Sequence, residues 1–471
     1  MTRRQGTGLL WGKFRRLSGF GQAGAVAVVT CSQRCGAHWA CQLGCLAVEL
    51  FAKQEWPSMT SAKNTPFTGP SAALLRVAKG DLCAGCGLCA GLAPGRITME
   101  MTPPGFPRPV QTADLSGPQE AGITASCPGL GQTSARAGEG RDPLWGPYRQ
   151  MVTGWARDEN LRFAGASGGA LSALAAHLLT SARVDGVIQI EADPANPTGN
   201  RTRISETPEQ VAQAAGSRYA PSSPLTDLAD YLASGRRYAF IGKPCDCAAL
   251  RALSLRDPAV ARAFPVILSF FCAGVPSATG AQELLDKMGV PADQLAAFRY
   301  RGNGWPGRAT ATLQDGSTRD LDYHAAWGGV LAHHVQHRCK ICADGTGVAA
   351  DLVCADAWQA DAKGYPLFDE APGVSLIVAR TRLGAEILAQ AEAAGAVQTQ
   401  PFDVADLAAI QPGQRERRRA LFARLAALRL MARPVPVYVG MDLRACARQN
   451  PIARNLRNFA GTIRRAFTRP K

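Results

Sequence analysis

The sequence predicts a mixed α+β / α/β protein in two parts, a small N-terminal module and a larger α/β domain. Three observations predict it. Leu82–Cys89 carries three cysteines at C-x2-C-x2-C spacing, separated mostly by Gly and Ala. That is the spacing of ferredoxin-type cluster loops, which makes the first part a ferredoxin-like iron–sulfur module. Between 162 and 394, strand-like apolar runs alternate with helix-like periodic stretches, the pattern of an α/β domain. With 471 residues, 46% of them apolar and 19% charged, the chain can bury the cores of two or three domains.

Residues 1–58 sustain neither a helical nor a strand period and read as a poorly structured extension, with Met59 as an alternative start. Cys31, Cys35, Cys41 and Cys45 match no common ligand spacing. The iron–sulfur module follows over 59–128, with a short strand at 96–101 and a Pro-Pro-Gly turn at 103–105. Residues 129–146 read as a linker, 129–142 being rich in Gly, Ser, Gln and Arg. The α/β domain spans 147–411. It opens with the Gly-rich loop Gly165–Gly169 running into a helix, then a strand at 184–190. Thr207-Pro208-Glu209-Gln210 is a helix start with Pro at the first position. A helix near 224–234, a strand at 238–242, another helix and a strand at 264–271 follow. Arg308–Leu313 and Ser317–Leu321 predict a hairpin around Asp315-Gly316. A strand at 376–379 and a helix at 383–394 complete the domain. Residues 412–471 comprise a basic helix over 412–432 and a weakly structured tail after Pro436.

The formal charge of +15 is uneven. Residues 412–471 carry fifteen Lys/Arg against two acidic residues, and 1–58 carry seven against two, which leaves 59–411 slightly acidic. The basicity therefore belongs to the ends. It suits an acidic redox partner, an anionic membrane surface or nucleic acid, or simply a solvated helical face, since aromatics are sparse and no nucleic-acid motif accompanies it. No run of eighteen apolar residues occurs, which argues against a transmembrane segment. The fifteen cysteines cluster at metal-ligand spacings rather than as a secreted disulfide framework, which favours a reducing, cytoplasmic compartment.

The chemistry sits at the cysteines and three loops. Cys83, Cys86 and Cys89 supply three thiolates, and no cysteine follows three residues later. Cys127, directly before Pro128, is the candidate fourth ligand. A zinc ribbon would need two C-x2-C pairs. Cys245 and Cys272 each follow a predicted strand, at the edge where open α/β sheets bind ligands. With the pair Cys339-x2-Cys342 they can close a second four-thiolate site. Cys247 and Cys354 are alternative ligands, and His333, His334 and His337 are the zinc alternative. Ser167, Gly168 and Gly169 at a helix start can present backbone N–H groups to a phosphate, although small residues there also permit close packing. Trp305, fixed between Gly and Pro, can stack on a planar ring or simply cover the core. His177 and Asp356 are candidate proton donors, His177 lying on a helix face.

These landmarks in this order resemble the coenzyme F420 hydrogenase/dehydrogenase beta-subunit family. The resemblance is carried by Leu82–Cys89, Gly165–Gly169, Gly216–Tyr219, Gly242–Cys245, Phe271–Ser277, Gly302–Gly307, Cys339–Cys342 and Asp351–Trp358, roughly residues 80–360. It implies an iron–sulfur flavoprotein oxidoreductase with FAD in the α/β domain, near Ser167, Gly168, Gly169, Lys243, Asn303, Trp305 and Gly307. It also implies up to two 4Fe-4S clusters, on Cys83, Cys86, Cys89 and Cys127 and on Cys245, Cys272, Cys339 and Cys342. Expected partners are ferredoxin or another low-potential donor, a small organic substrate, and a second copy or hydrogenase-like subunits. An electron-relay subunit without its own substrate is the alternative.

Overall fold

The structure is a computed structural model that describes residues 69–134, 140–358 and 369–468. The chain divides into two units, Met1–Ser61 and Ala62–Lys471, and every described residue belongs to the second. The expectations for residues 1–58 and Met59 lie outside the described residues.

An eight-stranded mixed sheet organises the α/β part. Its strands are β1 (Gln150–Ala156), β2 (Gly186–Asp193), β3 (Asn196–Ser205), β4 (Tyr238–Gly242), β5 (Val266–Phe270), β6 (Leu352–Asp356), β7 (Ser375–Ala379) and β8 (Val397–Pro401). The spatial order is β8-β1-β7-β6-β5-β4-β2-β3. The inner four, β6, β5, β4 and β2, are parallel, and both flanks are antiparallel. Parallel strands are covered on both faces, so they read as apolar runs. Alternate residues of β4 divide between two cores: Tyr238 and Phe240 join one, Ala239 and Ile241 the other. Leu376 and Val378 of β7 face the first core, Ile377 and Ala379 the second.

Helices close both faces. Helix α1 (Ala170–Thr180) buries Leu174, Ala175 and Leu178 in the second core. Helix α2 (Pro244–Ser254) buries Ala249, Leu250 and Leu253 in the first. The predicted hairpin forms as Ala309–Leu313 with Thr318–Leu321, and Leu295–Arg299 extends it to three strands.

Before the sheet, the helix Ala72–Lys79 is capped by Ser71, whose hydroxyl accepts from Leu74 N–H at 3.1 Å. The cysteine loop, the hairpin Ile97–Thr102/Phe106–Gln111 and the helix Gly117–Ser126 follow. The last helix opens with a reciprocal Ser116–Gln119 capping box.

The tail is not weakly structured as its polarity implied. Val437–Val439 pairs in parallel with Gly131–Thr133, so part of the predicted linker is a strand. Beyond it come the helices Leu443–Arg448 and Ile452–Thr468. The basic helix α3 (Pro412–Leu430) packs Leu421, Leu425 and Leu428 against Val77 and Leu82 of the cysteine module and Ile341 of the domain. Its arginines hid this apolar ridge from composition. Arg418 is buried, its guanidinium donating to Met441 O at 2.8 Å and to Ala343 O.

Candidate functional site

The first thiol set is built by glycines that let the chain turn tightly. Gly87 caps the short helix Leu88–Leu92 at φ 82°, and a Cβ there would lie 2.4 Å from Thr226 Oγ1. Cys83 Sγ accepts from Gly85 N–H at 3.3 Å. Cys127 ends the helix Gly117–Ser126. Cys83, Cys86, Cys89 and Cys127 thus line one narrow, apolar hollow with Leu74, Val77 and Met99. Burial pushes the Cys127 thiol up to about 11, and Cys83 beside it adds to the shift. Cys86 rises well above its ordinary value through burial, reinforced by Asp246, Cys127 and Cys89.

The second set gathers at the carboxyl ends of β4 and β5. These strands are parallel neighbours, with Gly242 opposite Ser269, so the segments leaving them emerge side by side. Cys245 starts α2 and Cys272 follows β5. Cys339 and Cys342 come from the turn at His337–Lys340, which is anchored to the β5 loop by Gln336 N–H to Val275 O at 3.1 Å. Electrostatic coupling links Cys245 to Cys272 and Cys339, and Cys272 to Cys339 and Cys342. Burial pushes Cys272 up to about 12, which Cys339 reinforces and Arg417 opposes. The alternative ligands stand apart. Cys247 is buried in one core, its thiol donating to Gly242 O and Leu268 O at 3.3 Å each, and Cys354 is buried in the other. His334 is engaged by Glu283 at 2.8 Å. Among the described residues, no group of three or more His, Cys, Asp or Glu converges tightly enough to hold a metal ion.

Two buried cations stand beside the thiols. Arg338, adjacent to Cys339 in sequence, donates to Pro128 O at 2.7 Å, next to Cys127, and to Tyr438 Oη at 3.0 Å. It therefore joins the two sets. Lys243 Nζ contacts Asp246 Oδ2 at 2.8 Å and Ser222 O and Oγ at 3.2 Å. Burial alone would depress this ammonium, but Asp246 and Cys245 hold its pKa above the ordinary lysine value. Arg108 bridges as well, donating to Gln336 Oε1 at 3.2 Å, while Gln336 donates to Cys339 Sγ at 3.6 Å.

A cavity of about 290 Å³ opens beside the second set. Ser167, Gly169 and Lys243 border it, together with Cys272, Arg301, Asp356 and Trp358. Ser167 Oγ donates to Ala355 O at 3.0 Å, pinning the Gly-rich loop to the end of β6. Gly168, Asn303, Trp305 and Gly307 are not among the bordering residues. Gly168 instead packs against Gly373, whose carbonyl would lie 2.8 Å from an added Cβ, which is the close-packing role of a small residue. Trp305 sits behind the wall, stacked on Trp358 with centroids 4.8 Å apart, and donates from Nε1 to Asp356 Oδ1 at 3.1 Å. Asp356 is clamped by Arg301 through bonds of 2.6 and 2.8 Å, so it is tied down rather than poised as a proton donor. His177 is buried on α1 and does not border the cavity. Sequence reasoning missed Arg301, Asp246 and Arg338. Only Arg338 left a local signal, as the residue beside the first cysteine of a C-x2-C pair.

A mixed α/β fold thus brings together two sets of four thiols, the second beside a cleft at the carboxyl ends of parallel strands, the edge where open α/β sheets bind ligands. The chain belongs to the coenzyme F420 hydrogenase/dehydrogenase beta-subunit family. The model of the family's N-terminal region matches residues 151–229, and the model of its C-terminal region matches residues 235–405. The chain is similar to the coenzyme F420 hydrogenase subunit beta of Methanococcus voltae, at 24% identity over 268 residues, covering 55% of this chain and 86% of that protein. It is also similar to a chain of the F420-reducing [NiFe] hydrogenase complex from Methanosarcina barkeri, with a TM-score of 0.47 and 21% identity over 59% of this chain and 91% of that one. Among the described residues, no helix is long and apolar enough to cross a membrane.

Proposed function

We propose that this chain is an FAD-dependent iron–sulfur oxidoreductase that takes electrons from a ferredoxin-type donor and delivers them to a small organic acceptor in the cytoplasm. The observation that carries the reading is that two four-thiol sets adjoin each other through Arg338, with the cavity beside the second at Cys272. Four neighbouring thiols repel one another when ionised, and metal cations remove that penalty by holding them as thiolates. A cubane spaces its ligand sulfurs around its own volume, so thiols lining a hollow suit it better than they suit one small ion. Cys83, Cys86, Cys89 and Cys127 would hold one 4Fe-4S cluster, and Cys245, Cys272, Cys339 and Cys342 a second.

FAD, when bound, would supply the change between one-electron and two-electron chemistry. Ser167 and Gly169 stand at the positive end of α1, where anionic phosphate is favoured. Lys243, ion-paired with Asp246, sets a hydrogen-bond donor on the cavity wall. Arg301 lies over the rings of Tyr323 and Trp358, which border the cavity and give it an aromatic side. Trp305 backs that wall through Trp358 and Asp356, and Asn303 and Gly307, both at positive φ, shape the loop that carries it.

Membership of the beta-subunit family supports hydrogenase-like partner subunits, and a relay role within such a complex is the second reading. The cavity favours a site of the chain's own. Anaerobic purification followed by iron, sulfide and flavin analysis tests the proposal. About eight irons and one FAD per chain are expected, a count resting on four irons per four-thiolate cluster. A colourless, zinc-containing protein would overturn it, and iron without flavin would favour the relay.

A further inference from the structure

The final helix α4 (Ile452–Thr468) is not absorbed by the redox reading. Its apolar residues Ile452, Leu456, Phe459, Ile463 and Phe467 recur at i, i+4, i+7, i+11 and i+15, one stripe along a helix. The side that docks on the protein is a different one, marked by the buried Thr462 and Ala466. The stripe is left open at both ends, with Ile452 79%, Leu456 62% and Phe467 77% exposed, while Phe459 and Ile463 between them are half-buried. Every charged residue of α4 is an arginine: Arg454, Arg457, Arg464 and Arg465. Arg457 and Arg464 are exposed. The two acidic residues of 412–471 are already engaged, Glu416 by Arg454, Arg415 and Arg419, and Asp442 by Arg141. At the far end of α4, Arg433 donates to Ala466 O at 2.7 Å, so α3 ends beside it with Leu430 72% exposed.

We infer that α4 is an interfacial helix that seats this protein on an anionic membrane surface. A straight apolar stripe about 24 Å long, taken at 1.5 Å per residue, needs an apolar neighbour where Ile452, Leu456 and Phe467 stand open. The arginines beside it need negative charge in the same plane. A lipid headgroup boundary offers both, and an amphipathic helix with a cationic polar face lies in it without crossing. The tail's excess of positive charge adds long-range attraction to such a surface.

The test is co-sedimentation of the full chain with vesicles of phosphatidylcholine containing phosphatidylglycerol, against vesicles of phosphatidylcholine alone. Binding should be strong only with the anionic lipid and should weaken with salt. Replacing Arg457→Ala together with Arg464→Ala should weaken it roughly thirtyfold, from about 1 kcal/mol per basic residue near the surface. Leu456→Ser with Phe467→Ser should weaken it at least about tenfold. All four positions are exposed, and unchanged circular dichroism would show that the fold is kept. Three results would overturn the inference: no binding to anionic vesicles, binding unaffected by either double variant, or a dimer in solution that the apolar variant dissolves. Capture of an acidic protein through the same arginines, without vesicle binding, would reassign the surface to a protein partner. The readout is independent of iron or flavin content, so this inference and the redox proposal fail separately.

Discussion

Asp356→Ala isolates the clamp on the cavity wall. In the native fold, Arg301 is 2% exposed and its guanidinium is satisfied by both Asp356 oxygens, with Nε donating to Pro306 O at 2.5 Å. Removing the carboxylate strands a buried cation, which costs about 3–5 kcal/mol. It also removes the acceptor for Trp305 Nε1, an interaction of about 1 kcal/mol that overlaps with the first. The expected loss is therefore about 3–5 kcal/mol, while Asp356→Asn, which keeps an acceptor, should lose about 2 kcal/mol. Urea unfolding followed by tryptophan fluorescence reads the change, since Trp305 and Trp358 stack at the clamp. The paired replacement Arg301→Met/Asp356→Leu should recover most of the loss, because an apolar pair leaves no charge behind. An Asp356→Ala loss below about 1 kcal/mol, the scale of an ordinary surface change, would refute the reasoning.

Three further outcomes follow from the same geometry. Cys339→Ala and Cys86→Ala should each lose about four irons by chemical analysis, whereas Cys247→Ala and Cys354→Ala should keep the full content. Lys243→Met should destabilise the fold by about 3–5 kcal/mol in urea, because Asp246 is 1% exposed and would be left buried without its cation. Gly87→Ala should cost about 1–3 kcal/mol, since its φ of 82° and the Thr226 backbone N only 2.8 Å from an added Cβ leave no room; chelator challenge should then strip iron from it faster than from the parent.

What the sequence disclosed depended on which force shaped each segment. The buried strands β2, β4, β5 and β7 were legible because burial on both faces leaves a short apolar run. The edge strands β3 and β8 were not, being half solvated: β3 runs Asn-Pro-Thr-Gly-Asn-Arg-Thr-Arg-Ile-Ser. It is held to β2 by backbone pairing and by Arg201 and Arg203 on Glu191. The approach of Cys245 to Cys272 could be foreseen, since residues leaving neighbouring parallel strands emerge together. The separation of Cys247 and Cys354 could not, because it depends on which face of the sheet each thiol enters. Gly165–Gly169 was correctly seen as a helix start, but its glycines divide in purpose: Gly169 borders the cavity while Gly168 serves packing. Of the two readings open for Trp305, a stacking platform or a cover for the core, the structure places its ring against Trp358 and Asp356 rather than on the cavity border. Long-range partners such as Arg301 with Asp356, or Arg338 with Pro128, leave almost no trace in a single sequence.

The central claim is that two four-thiol sets, proposed as cluster ligands, adjoin each other through Arg338, with the cavity beside the second at Cys272. Low-temperature paramagnetic resonance of the anaerobic, dithionite-reduced protein tests it most directly. Two reduced-cluster signals that broaden one another through spin coupling are predicted, with Cys86→Ala and Cys339→Ala each leaving one sharpened signal. A silent spectrum, or two signals that do not interact, would contradict the account.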